Sequence, residues 1–515
     1  MPYDYQPFDY VAPRGLTEAE PRHPVVIIGA GPIGLAMAVE LANHGVASVI
    51  LDDNNVVSVG SRAICWSKRS LEVLDRLGVG EACVAKGVTW RVGRTFHREA
   101  EVFNFDLLPE DGHKMPAFVN LQQYWVEQYL VERAQAVGTD LRWKNRVVGV
   151  EQHADHAVLT VETPDGEYQL AADWVIACDG ARSPVRGMLG LDFEGELFEE
   201  RFLIADIEMQ ADFPSERLFW FEPTFHNGQS ALLHKQPDNI YRIDLQLGWD
   251  SDPEVEKQPE RIIPRIAKVV GHSDFTLDWT SIYTFQCRRL RKFVQDRVIF
   301  VGDSAHIVSP FGARGGNGGL QDVDALGWRL AAVVKGQTPA TALDAYDRER
   351  SFGADENLMN SSRSTRFMSP AAGVERLFRD AVLHLAARAD FARPMVNSGR
   401  LSKPCTYPLD APDDPSLPDG ARPGSVAPDA PQGDGWLIDR LGGQFLLIAF
   451  GEAPEIPGLP VIRPQPNALV IRRWLGSEVT GLYLIRPDQI VAARWVQATT
   501  EEIAAALAAA QEGRT

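Results

Sequence analysis

RVIFVGDSAHIVSPFGARGGNGGLQDVDALGWRL (Arg297–Leu330) carries the strongest structural signal in this chain. Val298, Ile299, Phe300 and Val301 read as a short buried strand, followed by a sharp turn at Gly302-Asp303 and a loop rich in Pro and Gly. Beyond the loop, Leu320, Val323, Leu326 and Leu330 recur at helical spacing. A carboxylate just past a strand suits a sugar or polyol hydroxyl, because an ionised carboxylate only accepts hydrogen bonds. Gly312, Gly315, Gly316, Gly318 and Gly319 remove side chains where a flat ligand can lie against backbone. Unpaired N–H groups at the helix start, near Asn317, make that end attractive to negative charge.

At 515 residues the chain has room for two or three domains with large cores. Its net charge of −19 argues against a nucleic-acid partner and leaves no basic surface for anionic lipid. Cys65, Cys83, Cys178, Cys287 and Cys405 are scattered, odd in number and form no CxxC, which favours free thiols in a reducing compartment and no metal site. No run approaches the ~18 apolar residues of a membrane span. MPYDYQPFDY lacks the basic head and apolar core of a secretory signal, so a cytoplasmic protein is expected.

A second signal is PVVIIGAGPIGLAMAVELANHGVASVILDD (24–53). Val25–Ile28 form an apolar run, Gly29-x-Gly31-Pro32-x-Gly34 opens a helix, and a second strand ends at Asp52-Asp53. Strand, glycine turn, helix, strand and acid in this order meet the needs of dinucleotide binding: a tight turn, close pyrophosphate approach and a carboxylate for the ribose. The motif alone does not separate FAD from NAD. Further along come Ser61-Arg62-Ala63 before a helix, and Gln123 four residues before Glu127. Alternating strands cover 141–178, with Asp165-Gly166 as the hairpin turn. They lead into Asp179-Gly180-Ala181-Arg182-Ser183-Pro184-Val185-Arg186, a carboxylate and two guanidiniums at a strand-to-helix turn, suited to orienting phosphates.

Taken together, Gly29–Gly34, Arg62, Gln123, Asp179-Gly180 and Gly302-Asp303 resemble the FAD motifs of the single-component flavoprotein aromatic hydroxylases, which share the para-hydroxybenzoate hydroxylase fold. The resemblance implies an α/β protein with an FAD-binding Rossmann-like (GR2-type) domain interleaved with a mixed-sheet substrate domain, plus a small C-terminal thioredoxin-like domain lacking CxxC. The divisions expected are an N-terminal arm at 1–23, the FAD domain's first part with inserted strands at 24–195, and the substrate sheet at 196–290. The FAD domain's second part with helices follows at 291–400, a linker with eight prolines at 401–435, and the thioredoxin-like unit at 436–515. The arm's aromatics dock on the body or on a second subunit, or the arm is a partly ordered tail.

By the same resemblance FAD is held by Gly29, Gly31, Pro32, Gly34, Asp52, Asp53, Arg62, Ala63, Gln123, Asp179, Gly180, Arg182, Gly302, Asp303, Pro310, Gly315, Gly316 and Asn317. Asp52 goes to the adenosine ribose, Asp303 to the ribityl chain, and Asn317 to the pyrimidine edge of the flavin. The family often has Gly-Gln-Gly-Met-Asn where this chain has Ala313-Arg314-Gly315-Gly316-Asn317. Arg314 therefore serves an anionic flavin, serves a carboxylated substrate, or pairs on the surface.

The implied activity is an NAD(P)H- and O2-dependent monooxygenase that hydroxylates a phenolic or aromatic substrate through a flavin C4a-hydroperoxide. With one dinucleotide fold, NADH or NADPH binds transiently. A base of near-neutral pKa would deprotonate the phenol, and a histidine fits that duty. Candidates for the pocket are His226, Gln229, His234, Tyr241, Arg242 and Pro310, with Phe311 as a wall; His306 follows the Gly302-Asp303 turn and either acts or braces it. Ring cleavage or epoxidation by a related FAD oxygenase, and a non-catalytic FAD-binding protein, are the alternatives. A halogenase is disfavoured because the chain lacks W-x-W-x-I-P. Substrate, regiochemistry, nicotinamide preference and whether the protein is a homodimer lie beyond the sequence.

Overall fold

The structure, a computed structural model, describes residues 3–226, 229–248, 250–310, 312–370, 373–396 and 403–515. At its centre the strand His23–Ile28 pairs in parallel with Ser48–Asp52 on one side and Gly166–Ala177 on the other. Asp140–Trp143 and Val298–Phe300 extend this sheet in parallel at its two sides. Val25, Val26, Ile27, Ile50 and Ile299 are buried, because helices cover both faces. Two of these, Pro32–Asn43 and Gly315–Val334, pack so closely that a Cβ on Gly319 would lie 2.7 Å from the Ile33 side chain. Arg146–Gln152 and Ala157–Thr163 run antiparallel alongside Gly166–Ala177, as the alternation predicts. Thr163 pairs with Gly166, so the hairpin loop is Pro164-Asp165, and Gly166 opens the next strand instead of sitting in the turn.

A second eight-stranded sheet lies beside the first. From one edge it runs His306–Ile307, Thr276–Arg289, Glu194–Glu208, Ile240–Gln246, Ala231–Lys235, Arg217–Phe221, Val92–His97 and Ala100–Asp106. It is antiparallel except where Arg217–Phe221 meets Val92–His97. It therefore recruits two strands from 92–106, well before the 196–290 segment, and the strand Glu194–Glu208 crosses that segment's start. Alternate residues give the sheet two unlike faces. One face sends Leu203, Ala205, Leu233, Tyr241 and Ile243 into an apolar core with Ile262 and Ile266 of the helix Pro259–Val270. The other face turns toward the nucleotide-binding half.

The N-terminal arm docks on the body. Phe8 stacks on Trp143 with ring centroids 4.5 Å apart, Tyr3 packs at 4.4 Å from Tyr124, and the Tyr5 hydroxyl accepts the Gly60 N–H at 3.0 Å. At the other end, Val461–Ile462, Leu446–Phe450, Gly481–Ile485 and Val491–Trp495 form a four-stranded sheet closed by the helix Thr500–Gln511. Buried charges join this unit to the nucleotide-binding half. Arg69 donates to Gln489 Oε1 and the Asp488 carbonyl, each at 2.7 Å, and to Asp324 at 2.5 Å. Arg486 meets both oxygens of Glu349 at 2.9 Å, and Arg329 reaches the same carboxylate at 2.7 Å. Such bidentate pairs fix orientation as well as distance. The five cysteines are free, and no helix among the described residues is long and apolar enough to cross a membrane.

Candidate cofactor cleft and substrate face

The glycine turn has the geometry its spacing predicts. Gly29 holds φ +103°, and a Cβ there would lie 2.6 Å from the Cys178 carbonyl; one on Gly34 would lie 1.9 Å from the Gly29 carbonyl. At Gly31, by contrast, a Cβ would meet nothing within 4 Å, so this glycine keeps open a space beside the helix start. That helix has Pro32 in its first turn and neither a side-chain cap nor an acid there, which leaves its positive end available to an anion. Asp52 accepts from the Ala30 N–H at 2.5 Å and the Asn54 N–H at 2.8 Å. Burial pushes its carboxyl up to about 6. Asp53 is exposed beside it.

Asp303 sits at the turn after Val298–Phe300, open to the cleft, and its carboxylate has no hydrogen bond or ion pair within the described protein. Crowding by surrounding protein pushes its pKa up, while His306 and Arg62 pull it back. A buried network holds the turn. Asp322 accepts from the Gly302 N–H at 2.9 Å, from His306 Nε2 at 2.7 Å and from Arg350 Nε at 2.6 Å. Burial would raise the Asp322 carboxyl, but His306 and Arg350 outweigh it and hold it below the usual carboxylate range. Arg350 goes on to the Tyr407 hydroxyl at 2.8 Å and the Gly318 carbonyl at 3.2 Å. His306 thus braces the turn. Asp322 and Arg350 stand in no local motif that the sequence displays; only the fold brings them to Gly302.

The Asn317 side chain is engaged with protein. Its Oδ1 accepts from the Ser67 N–H at 2.9 Å and the Ser67 hydroxyl at 3.1 Å, and its Nδ2 donates to the carbonyls of Cys65 at 2.9 Å and Ala313 at 2.5 Å. The amide has two donors and two lone pairs, all engaged with protein. Asn317 therefore secures the Cys65–Ser67 strand against the helix through its side chain. Gly315 and Gly316 stand in the same first turn, partly open, with Gly316 against the Trp66 ring. Pro310 is exposed, its carbonyl accepting from the Ala313 N–H at 3.0 Å; Phe311 lies outside the described residues. Arg314 is only 6% exposed and packs under Gly312, so the surface-pair reading fails.

Around the opposite rim, the Gln123 carbonyl oxygen accepts from the Ala63 N–H at 3.2 Å, and its amide donates to Glu127 at 2.8 Å and Ser58 at 3.1 Å. Gln123 thus shapes the segment that presents Arg62, an exposed residue at φ +40° whose charge acts on both Glu127 and Asp303. Asp179 accepts from the Ser183 hydroxyl and the Val185 N–H at 2.8 and 3.0 Å, while its buried Oδ1 has no partner. Gly180, at φ +78°, faces open space, and Arg182 is exposed next to it. Arg186 is not the phosphate ligand its spacing implied: it donates to the carbonyls of Ala181 and Ser304 at 2.8 and 3.2 Å and lies 3.8 Å over the Phe193 ring. It ties the 179–183 turn to the 302–304 turn.

On the second sheet the candidates separate by face. His234 and Arg242 are cross-strand partners facing the cleft, with Arg217 next in line on the adjoining strand. Tyr241 points the other way, its hydroxyl donating to the Ala211 carbonyl at 2.7 Å inside the outer core, so it cannot line the cleft. His226 bonds the Gln246 carbonyl at 2.7 Å, and Gln229 lies on the same loop. Arg242 donates to Asp206 at 3.0 Å, to the Arg62 carbonyl at 2.6 Å and to the Ser61 hydroxyl, and so clamps the Ser61–Arg62 loop to the sheet. Burial pushes both His226 and His234 down, His234 well below its ordinary value, which weakens His234 most as a base. A groove of about 480 Å³ is lined by Trp90, Leu108, Met115, Ala117 and Pro214 together with Arg91, Glu110, Asp111 and Glu216. This volume suits a small aromatic molecule.

Open space at Gly31 and Gly180, the uncapped helix start, and the unpartnered oxygens of Asp303 and Asp179 fit an extended ligand with a diphosphate and hydroxyls, as FAD is. Comparison with known proteins agrees. A family model described as "FAD binding domain" matches residues 22–361. A flavin-dependent monooxygenase of Mycobacteroides abscessus is 31% identical over 490 residues, spanning 90% of this chain and 95% of the relative. A rifampicin monooxygenase of Streptomyces venezuelae is 33% identical over 367 residues, 70% of this chain and 75% of that one. Among solved structures, the flavin-dependent monooxygenase PieE, in complex with FAD and substrate, superposes with a TM-score of 0.81 over 96% of this chain and 100% of that one, at 20% identity.

Proposed function

Because this chain belongs to the FAD-binding family of flavin-dependent monooxygenases, we propose that it hydroxylates a phenolic or otherwise electron-rich aromatic substrate, using NADH or NADPH and O2. FAD, when bound, would supply the redox chemistry that couples nicotinamide oxidation to insertion of oxygen into the ring. The protein's own groups bind, orient and exclude water. Gly29, Gly31 and the helix start at Pro32 receive the pyrophosphate, and Asp52 or its neighbour Asp53 takes the adenosine ribose. Arg62, presented by Ala63 and Gln123, lies on the flavin side of the cleft, with Pro310, Gly315 and Gly316 beneath. Asp179, Gly180 and Arg182 form the third rim.

The observation that carries this reading is the Asp303 carboxylate, carried on a turn that the Asp322 network braces through Gly302, yet without a partner of its own. An acceptor left unused at a braced turn supports a contact with a polyol hydroxyl. Relatives include a 3-(3-hydroxy-phenyl)propionate/3-hydroxycinnamic acid hydroxylase of Mycolicibacterium smegmatis, 26% identical over 365 residues, in keeping with a small phenol as substrate. The test is NAD(P)H oxidation by the FAD-loaded protein across a panel of phenols in labelled O2, with product mass followed. Substrate-stimulated oxidation with one labelled oxygen retained is expected. No stimulation by any aromatic would refute hydroxylation, and incorporation of two oxygens would point to ring cleavage.

A further inference from the structure

One wall of the 480 Å³ groove comes from the segment 107–117, which joins the strands Ala100–Asp106 and Phe118–Asn120. Leu108, Glu110, Asp111, His113, Met115 and Pro116 of this segment line it. Its apolar end adjoins the cofactor cleft, because Trp90, Leu107, Ala117 and Phe118 form one cluster that packs against Ala313, between Pro310 and Gly315. The tip of the segment is held from the C-terminal unit. Arg473 donates to the carbonyls of Gly112 at 2.7 Å and Asp111 at 2.9 Å and to His113 Nε2 at 3.1 Å. Glu110 takes Arg472 at 2.8 Å and Arg473 at 3.5 Å. Among the described residues, the one other polar partner of 110–113 is Arg91, loosely paired with Asp111 at 3.8 Å. Burial, with Lys68 and Arg473 adding to it, pushes His113 down to about 4, so its ring is neutral at pH 7 and free to accept the Arg473 N–H. The two arginines have a firm base. They lie on one wide turn, Ile471–Leu475, whose neighbours Val470, Trp474 and Leu475 are buried in the C-terminal core.

Resting on the hydroxylase reading above, we infer that Arg473 is a positioning residue for the aromatic substrate: it keeps the 110–113 tip in place as a ready-made wall of the groove that admits the ring. Fixing four residues of backbone has an entropic cost. With Arg473 present, that cost is met once, when the chain folds. Without it, the tip has to be ordered each time a ring enters, and the affinity for the ring falls by the same amount. Arg473 touches neither the groove's occupant nor the cofactor cleft, so its effect is confined to how well the wall is formed. The C-terminal unit thus acts on substrate binding through two guanidiniums, with no thiol and no electron transfer of its own.

The experiment uses the full FAD-loaded chain and two readouts: equilibrium dialysis with 2-naphthol as the probe, and cleavage after the exposed Glu110 by a glutamate-specific protease. Wild type is expected to bind 2-naphthol, and Ser215→Trp, which puts a ring into the groove from outside the 107–117 segment, should block it. Arg473→Met should weaken binding about tenfold or more and speed cleavage after Glu110, with FAD content unchanged. Arg473→Lys should restore part of both, since one ammonium replaces part of the fork of donors. Tyr483→Phe is the control for a general weakening of the C-terminal core: it loses the bond to the Trp474 carbonyl, does not touch the segment, and should change neither readout. No binding by wild type, binding untouched by Ser215→Trp, or wild-type affinity or cleavage in Arg473→Met overturns the inference. So does loss of FAD from Arg473→Met, or an equal effect of Tyr483→Phe. Failure of the hydroxylase reading is separate: 2-naphthol binding would keep its dependence on Arg473, while no phenol stimulated NAD(P)H oxidation.

Discussion

Asp52, proposed above to take the adenosine ribose, carries a burial cost in the ligand-free protein, and replacing it by Asn separates the two effects. Burial at the strand end raises its pKa from 3.8 to about 6. Since the folded value lies above the unfolded one, folding disfavours the ionised form. The penalty is absent below pH ~4, grows between about 4 and 6, and is constant above that. About two pH units at roughly 1.36 kcal/mol each set a ceiling of about 3 kcal/mol. Asn removes the charge and keeps one oxygen for the Ala30 N–H; the Asn54 N–H that loses its partner is exposed and turns to water. Apoprotein carrying Asp52→Asn should thus be more stable than wild type by about 1–3 kcal/mol above pH ~6, with the advantage vanishing near pH ~4. FAD affinity should fall about tenfold or more, the usual loss with a charged hydrogen-bond acceptor. Urea titrations of the apoproteins at both pH values, with flavin fluorescence titrations at neutral pH, measure these quantities. A variant less stable than wild type at neutral pH, or a stability difference independent of pH, refutes the reasoning.

Gly31→Val should leave apoprotein stability within about 0.5 kcal/mol, because the new side chain enters open space, yet lower FAD affinity by about 100-fold, read as the flavin-to-protein ratio after purification. Asp322→Asn strands the buried Arg350 and loosens Gly302; a loss of about 3–5 kcal/mol by denaturant unfolding is expected, together with loss of FAD. Tyr241→Phe should cost about 1 kcal/mol without changing the KM for any aromatic substrate, whereas Arg242→Met, on the opposite face, should release FAD by freeing the Ser61–Arg62 loop. Equal flavin retention in those two variants would contradict the assignment of faces.

Much of the local chemistry is legible in the sequence itself. Gly29, Gly34 and Gly302-Asp303 need only a strand, a turn and a helix in succession, and the chain supplies each within a few residues. The 315–334 helix is readable from Leu320, Val323, Leu326 and Leu330 for the same reason. Features that depend on distant pairing are not. Strand period two places Tyr241 and Arg242 on opposite faces, but only the packing of the helix Pro259–Val270 decides which face is the inner one. Arg186 matches a phosphate-binding pattern, yet the Ser304 carbonyl, far away in the chain, takes its guanidinium. Asn317 stands where its motif marks it, but its amide is satisfied by Cys65, Ser67 and Ala313, a strand and a loop that no local pattern brings together.

The ion pairs and hydrogen bonds that cross from Arg69 to Asp488 and Gln489, and from Arg486 to Glu349, bear on how this polypeptide can be dissected. Cutting away everything beyond the 22–361 segment would strip Arg69 of Gln489 and the Asp488 carbonyl, leaving it Asp324 and Glu72. It would also strip Glu349 of Arg486, leaving it Arg329, and would uncover these buried charges to solvent. The nucleotide-binding half is therefore not a stand-alone cassette: trimming, fusion or domain exchange has to carry the C-terminal unit along, or replace those charges with apolar side chains of similar bulk.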